Sequence, residues 1–247
     1  MTRLFAILSV VLVLMTACGA DEPAKSDDTV TTTASPTRAA ETAVVVTDAY
    51  TGELTLDGDI CTFHVPQVAF NGAPLTALNE TMYRELYDGV LANQVFAEEG
   101  QSAWSRMNYV WGENDDIVSV VVGMTSRETG DDTYLAYSAS KKTGEVITDR
   151  GTIAAYYGLN EDLLDAQIAA ALEMAYIMSY QSMIPEVGQA AYDEKLAQML
   201  DETVFRATPF VSAAGDLCAV ADMASFEGAD YRKILVNVTG GSEVPAP

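Results

Sequence analysis

Histidine is nearly missing from this chain: His64 is the single imidazole among 247 residues. One histidine cannot furnish a His-rich zinc site, and Cys61 and Cys218 alone do not supply the ligand set that zinc takes. His64 stands between Phe63 and Val65 in a strand-like run and so points away from both. No G-x-S-x-G stretch offers it a nucleophile. A hydrogen-bonded strand histidine is expected, and no catalytic residue is named. Basic side chains are also scarce, 13 against 36 acidic ones for a net charge of −23. Such a polyanion repels nucleic acid and anionic headgroups and favours cationic partners or metal cations. Lys141-Lys142 is too small to be a nucleic-acid patch, and no glycine-rich phosphate loop is present. No cofactor is expected.

Long apolar runs are missing as well, except at the start. Residues 1–17, MTRLFAILSVVLVLMTA, have a positive n-region in Arg3 and an apolar stretch from Leu4 to Met15. That stretch is too short for a comfortable membrane span and reads as a signal peptide. Thr16 and Ala17 are small, and Cys18 follows. Leu14-Met15-Thr16-Ala17-Cys18 resembles the lipobox of bacterial lipoproteins, which implies lipidation at Cys18 and a membrane anchor on the extracytoplasmic face. Without residues 1–17, 12 basic and 36 acidic residues remain, a net charge of −24. The apolar stretch from Leu163 to Ile184 carries Asp165 and Glu173 and reads as a buried amphipathic helix.

Cysteine is rare, and lipidation uses one of the three. Cys61 and Cys218 remain, an even pair outside the cytosol. A disulfide between them is expected, closing a long loop worth roughly 4–5 kcal/mol in the chain-entropy model; two separate buried thiols are the alternative.

Residues 18–43 form a lipid-anchored tether rich in Pro, Ser, Thr and Asp, too polar to offset its ordering entropy. As a coil it spans on the order of 25–30 Å. Residues 44–239 make one domain, and residues 240–247 read as a disordered tail. Val44 to Phe70 alternates like strands, with turn chemistry at Thr51-Gly52 and Asp57-Gly58. Pro74 precedes a helix carrying Leu78, Met82, Leu86 and Val90 on one face, ending at Gly100. Strands are expected over 102–111, 117–127, 133–140 and 145–148, an antiparallel meander. Asn160 caps a helix with Leu164, Ile168, Leu172 and Tyr176 on one side. Pro185 and Gly188 break it, and a helix over 189–203 presents Leu196, Met199 and Leu200. Strands close the domain over 208–213, 217–225 and 232–238. The order argues for an α+β fold, an antiparallel sheet with two to three helices packed on it.

Val65-Pro66-Gln67-Val68, Leu78-Asn79, Asp116 to Val120, Tyr134 to Ser138, Lys142 to Ile147, and Pro209 to Val220 together resemble the extracytoplasmic domain of the anti-sigma factor RsiV. The same domain forms the amino-terminal part of PdaC-type peptidoglycan deacetylases. The resemblance covers about residues 60–238. It implies an α+β module outside the membrane and, for RsiV-like proteins, lysozyme binding. The chain lacks the transmembrane helix and sigma-binding segment of the one and the catalytic domain of the other, so only fold and a binding role carry over.

Acidic turns (Asp57 with Asp59, Asp115 with Asp116, Glu128 with Asp131 and Asp132) have calcium-type oxygens, but turns want Asp anyway, and no metal site is named. Met107, Tyr109 and Trp111 share a strand face, with Trp104 on the other; they are either core or a glycan-stacking surface. The reading is a cell-surface lipoprotein that binds a cationic protein, lysozyme-like ligands included, or an envelope component such as peptidoglycan, without catalysis. The alternatives are an envelope hydrolase using paired carboxylates and a structural subunit of an envelope assembly. The ligand-binding residues are not readable.

Overall fold

Strands β1 (Val44–Leu56) and β2 (Asp59–Phe70) pair antiparallel over their whole length, turning at Gly58, whose φ of 91° suits glycine. The computed structural model describes residues 43–56, 58–99, 103–226, 231–240 and 244–247. The turn expected at Thr51-Gly52 is absent: both residues lie inside the ladder, opposite His64 and Phe63. The ring of Tyr50 lies over Gly52, where a Cβ would displace it. Asn71-Gly72, with φ of 51° and 78°, folds β2 back onto the short β3 (Ala73–Pro74). Two left-handed residues in sequence make the tight hairpin turn that Asn-Gly favours.

Helix α1 (Thr76–Glu98) buries Leu78, Met82, Leu86 and Val90 on the sheet, as their spacing requires. Two carboxamides fasten it. Asn79 accepts from the Val68 N–H at 2.7 Å and donates to the Val68 carbonyl at 2.9 Å. The buried Asn93 does the same to the backbone of Trp104. Each side chain serves an amide that no strand reaches.

The chain returns through β4 (Trp104–Glu113), β5 (Ile117–Ser126) and β6 (Asp132–Ser140), the expected meander. The sheet order is β1-β2-β4-β5-β6, and β2 meets β4 in parallel at Thr62–Arg106 and Phe63–Met107. The intervening helix is the crossover that a parallel pair needs. A bulge between Trp104 and Arg106 resets the alternation. Trp104 therefore joins Met107, Tyr109 and Trp111 against the α1 core, not the opposite face as expected.

The expected strand over 145–148 is reduced to one bridge, Val146 to Ala139. Helix α2 (Arg150–Ala155) follows, with Asp149 accepting from the Thr152 N–H as its cap. Asn160 caps α3 (Glu161–Tyr180) through the Leu163 N–H. Helices α4 (Ile184–Val187) and α5 (Gln189–Thr203) flank Gly188. The last strands, β7 (Thr208–Val211), β8 (Leu217–Ala224) and β9 (Tyr231–Asn237), form a second, separate sheet in that order. The fold is α+β, built on two sheets where one was expected.

Alternation along β5 and β8 sets out the layers. Val118, Val120 and Val122 belong to the core under α1, while Val121 joins Phe210, Cys218 and Val220 in a core between the sheets. Leu217, Ala219, Ala221 and Met223 turn the other way, onto Leu164, Ile168, Leu172 and Tyr176 of α3. The order is helix, sheet, sheet, helices.

This layering overturns the expected disulfide. Cys61 sits with the α1 core and Cys218 between the sheets, and both are free and buried. They lie on opposite sides of the larger sheet, out of reach of a bond that needs α-carbons within about 7 Å. The tail expected to be disordered is also corrected where it is described: Val244 packs on the intersheet core, and Pro247 lies at Gly123, where added side-chain bulk would meet its ring at 3.2 Å.

Polar and steric details close the intersheet seam. The buried Ser119 hydroxyl lies 2.7 Å from that of Ser138 and accepts the Val211 N–H at 3.0 Å, linking β5, β6 and β7. At Gly112 a Cβ would overlap the Ser212 backbone, so β4 needs glycine to approach the β7–β8 turn. Replacing Ser119 by Ala leaves the Val211 N–H buried without an acceptor. Chemical denaturation should show a loss of about 1–3 kcal/mol, and unchanged stability would contradict the linking role.

Candidate functional site

Helix α3 carries two adjacent stripes. The first, Leu164, Ile168, Leu172, Tyr176 and Tyr180, is buried on the smaller sheet. The second, Gln167, Ala171, Met174 and Met178, turns toward β9. Ala170, Ala171 and Ala175 keep the helix surface low there, and a groove of about 530 Å³ remains between helix and strand. Met174 and Met178 are 60% and 81% exposed, the latter the most exposed large apolar side chain described.

The opposite wall is unusual in composition. Leu235, Val236, Asn237 and Val238, four consecutive residues, line it. A strand seen face-on presents alternate residues, so the groove runs along the strand's edge. Among the described residues β9 is an edge strand of its sheet. The Val238 N–H donates to the Leu217 carbonyl at 2.9 Å. Ladder alternation then directs the Val236 amide to β8 and the Leu235 N–H and C=O outward, toward the groove. Gln167 Oε1 is buried on the helix wall without a hydrogen-bond partner. Gly240 and Val244 complete the lining.

Charge around the groove is uneven. Helix α3 has four carboxylates, Glu161, Asp162, Asp165 and Glu173, and no basic residue. The cations of β9 are engaged: Arg232 stacks 5.7 Å over the Tyr180 ring and donates to Ser179, and Lys233 holds Asp222 at 3.1 Å.

A second, smaller cleft of about 250 Å³ lies where α1, β6 and α2 meet. Tyr137 donates to Glu85 at 3.0 Å across it, and Arg150 reaches Asp165 at 2.5 Å beside it. Burial first, and the Glu85 charge second, push the Tyr137 phenol up.

The residues singled out in the sequence do not converge. Cys18, the signal peptide and the tether as far as residue 42 lie outside the described residues, as does Asp57. His64 points away from the buried Phe63 and Val65, as expected, and reaches the Asp48 carboxylate at 3.3 Å. Burial, then the Asp48 carboxylate, push the Tyr109 phenol to about 12. Asp59 pairs with Arg127 at 3.5 Å and Asp116 with Lys142 at 2.6 Å; Asp132 accepts from Thr125 at 2.6 Å. Among the described residues no three His, Cys, Asp or Glu side chains group to hold a metal ion. Trp104, Tyr109 and Trp111 are partly buried against core, which removes them as an open glycan-stacking surface.

The α3–β9 groove escaped the sequence reading because Leu163 to Ile184 read as a buried amphipathic helix with Leu164, Ile168, Leu172 and Tyr176 as its one apolar face. Its signal was present: apolar side chains occupy more of the α3 circumference than one buried stripe needs.

Burial raises both thiols, Cys218 to about 11 with the Asp216 charge adding to it. Both should therefore alkylate slowly in the native protein, and both should react in denaturant without reductant. Peptide mapping after alkylation checks this, and a Cys61–Cys218 cross-linked peptide would refute it. Burial likewise pushes Tyr109, Tyr134 and Tyr176 from 10.0 to about 12. A folded value above the unfolded one favours the protonated phenol, so this stability is whole below about pH 10 and is lost as pH rises toward 12. Phenolate absorbance should lag that of unfolded protein over this window while alkaline unfolding sets in; coincident curves would contradict it. No family model matches the chain, and no curated protein matches it in sequence.

Proposed function

We propose that this protein is a cell-surface lipoprotein, anchored by lipid on Cys18, whose domain binds a cationic protein or an envelope component without catalysing a reaction. The observation that carries the reading is the open apolar groove between α3 and β9, set in a chain of net charge −23. Methionine is polarizable and unbranched, and exposed methionines suit a surface that adapts to a partner. A domain with a wet acidic surface and one apolar trough has the two parts of a capture module: long-range attraction and a dry contact. The resemblance to RsiV-type domains supports lysozyme-like ligands as one class of partner, and the polar stretch before β1 supports a tether. Peptidoglycan remains the envelope component in view.

Asp149 and Glu202 are not set up as general acids. Asp149 is held low mainly by its hydrogen bonds from Thr152, and Glu202 by Gln198 and Tyr231. A general acid needs the opposite, a carboxyl raised toward neutrality.

Immobilised domain should capture lysozyme at ~0.01 M ionic strength, where the Debye length is ~30 Å, and release most of it near ~1 M, where it is ~3 Å. Absence of capture at low salt would remove cationic proteins from the proposal.

A further inference from the structure

We infer that the α3–β9 groove takes an extended basic peptide segment, which adds as a strand to the edge of β9. This mode rests on the binding role proposed above and specifies its partner.

Three features, of the strand edge, of the helix wall and of one buried amide, lead to it. The groove is lined by consecutive residues of an edge strand, which is the geometry of strand addition and not of a side-chain pocket. The outward N–H and C=O of Leu235 stand ready to extend the ladder by a hydrogen-bonded pair. Facing them, Met174 and Met178 leave apolar area in water that alternate side chains of an added strand would cover. The third feature is polar: Gln167 Oε1 is buried on the same wall with no donor, and an added peptide supplies N–H groups.

Charge selects the basic partner. Helix α3, which forms one wall, carries four carboxylates, Glu161, Asp162, Asp165 and Glu173, and no cation; only Asp165 among them is held by a described salt bridge, to Arg150. Arg232 and Lys233, at the strand's other end, are already bound to the Tyr180 ring and to Asp222. A segment alternating lysine with an aliphatic residue fits: its apolar side chains enter the trough, and its ammonium groups stay in water beside the acidic helix α3. An extended chain rises about 3.3 Å per residue, so about four residues lie along Leu235 to Val238.

The test separates strand addition from attraction between opposite charges. The probe is a terminally blocked peptide of about seven residues alternating lysine and valine, together with the same peptide N-methylated at every backbone nitrogen. Both carry the same charge, but the second cannot donate to a ladder. The full chain is titrated with each by calorimetry. The variants are Met178→Glu, inside the groove, and Leu163→Glu, which is also exposed (51%) but outside the groove lining. Each adds one negative charge at a surface position, so folding is spared.

Strand addition requires N-methylation and Met178→Glu each to weaken binding about tenfold. Leu163→Glu must leave binding equal or tighter, and the Leu235 amide must exchange more slowly in the complex. Equal affinity for the two peptides, or tighter binding by both variants, means charge alone holds the peptide and overturns the inference while leaving cationic capture intact. Peptide seating without lysozyme capture at low salt would instead refute the lysozyme reading and keep the groove. No peptide binding at all ends the strand-addition inference.

Discussion

Strand β5 has no face left for water, and the rest of the molecule is arranged around that constraint. Ile117-Val118-Ser119-Val120-Val121-Val122-Gly123-Met124 is buried from end to end. A strand buried on both sides must be covered on both sides. Helix α1 provides one cover. The other is a second sheet, which is itself apolar on both sides and so demands its own cover of helices. One doubly buried strand thus propagates into four layers. Ser119 is the polar exception within it, tolerated because its hydroxyl meets the Ser138 hydroxyl and the Val211 N–H across the seam.

The helices and most strands were legible because their periodicities are local. Asn160 announces α3, and Leu164, Ile168, Leu172 and Tyr176 state which face it buries. What was not legible is anything decided between distant segments. The split into two sheets depends on β7 stacking over β5 instead of pairing in line with it, and no residue of either strand encodes that alone. The Trp104 bulge moved an aromatic across the sheet by inserting one residue, a change that simple alternation cannot see. Thr51-Gly52 has turn chemistry, yet long pairing on both sides carries the ladder straight through it. Glycine there serves the packing of Tyr50.

The same logic explains why the candidate site was the least visible part. A groove is a place where two elements fail to touch. Three alanines on α3 set its depth and the edge of β9 sets its wall, but neither segment records the other's distance. Chemistry-bearing residues that stood out in the sequence, His64 and the acidic turns, turned out to be surface pairs and loop caps. The groove instead draws on common residues, alanine, methionine and valine, whose meaning depends on what lies opposite.

Placing the two interior thiols on opposite sides of one sheet frees the domain from its redox surroundings. With Cys61 and Cys218 unlinked, its cohesion comes from three apolar layers and a few buried hydroxyl and amide links. Maturation of the domain then needs no thiol oxidase or isomerase. It can reach the same shape in a glutathione-rich cytosol as beyond the membrane, and a shift toward reducing conditions has no bridge to cut.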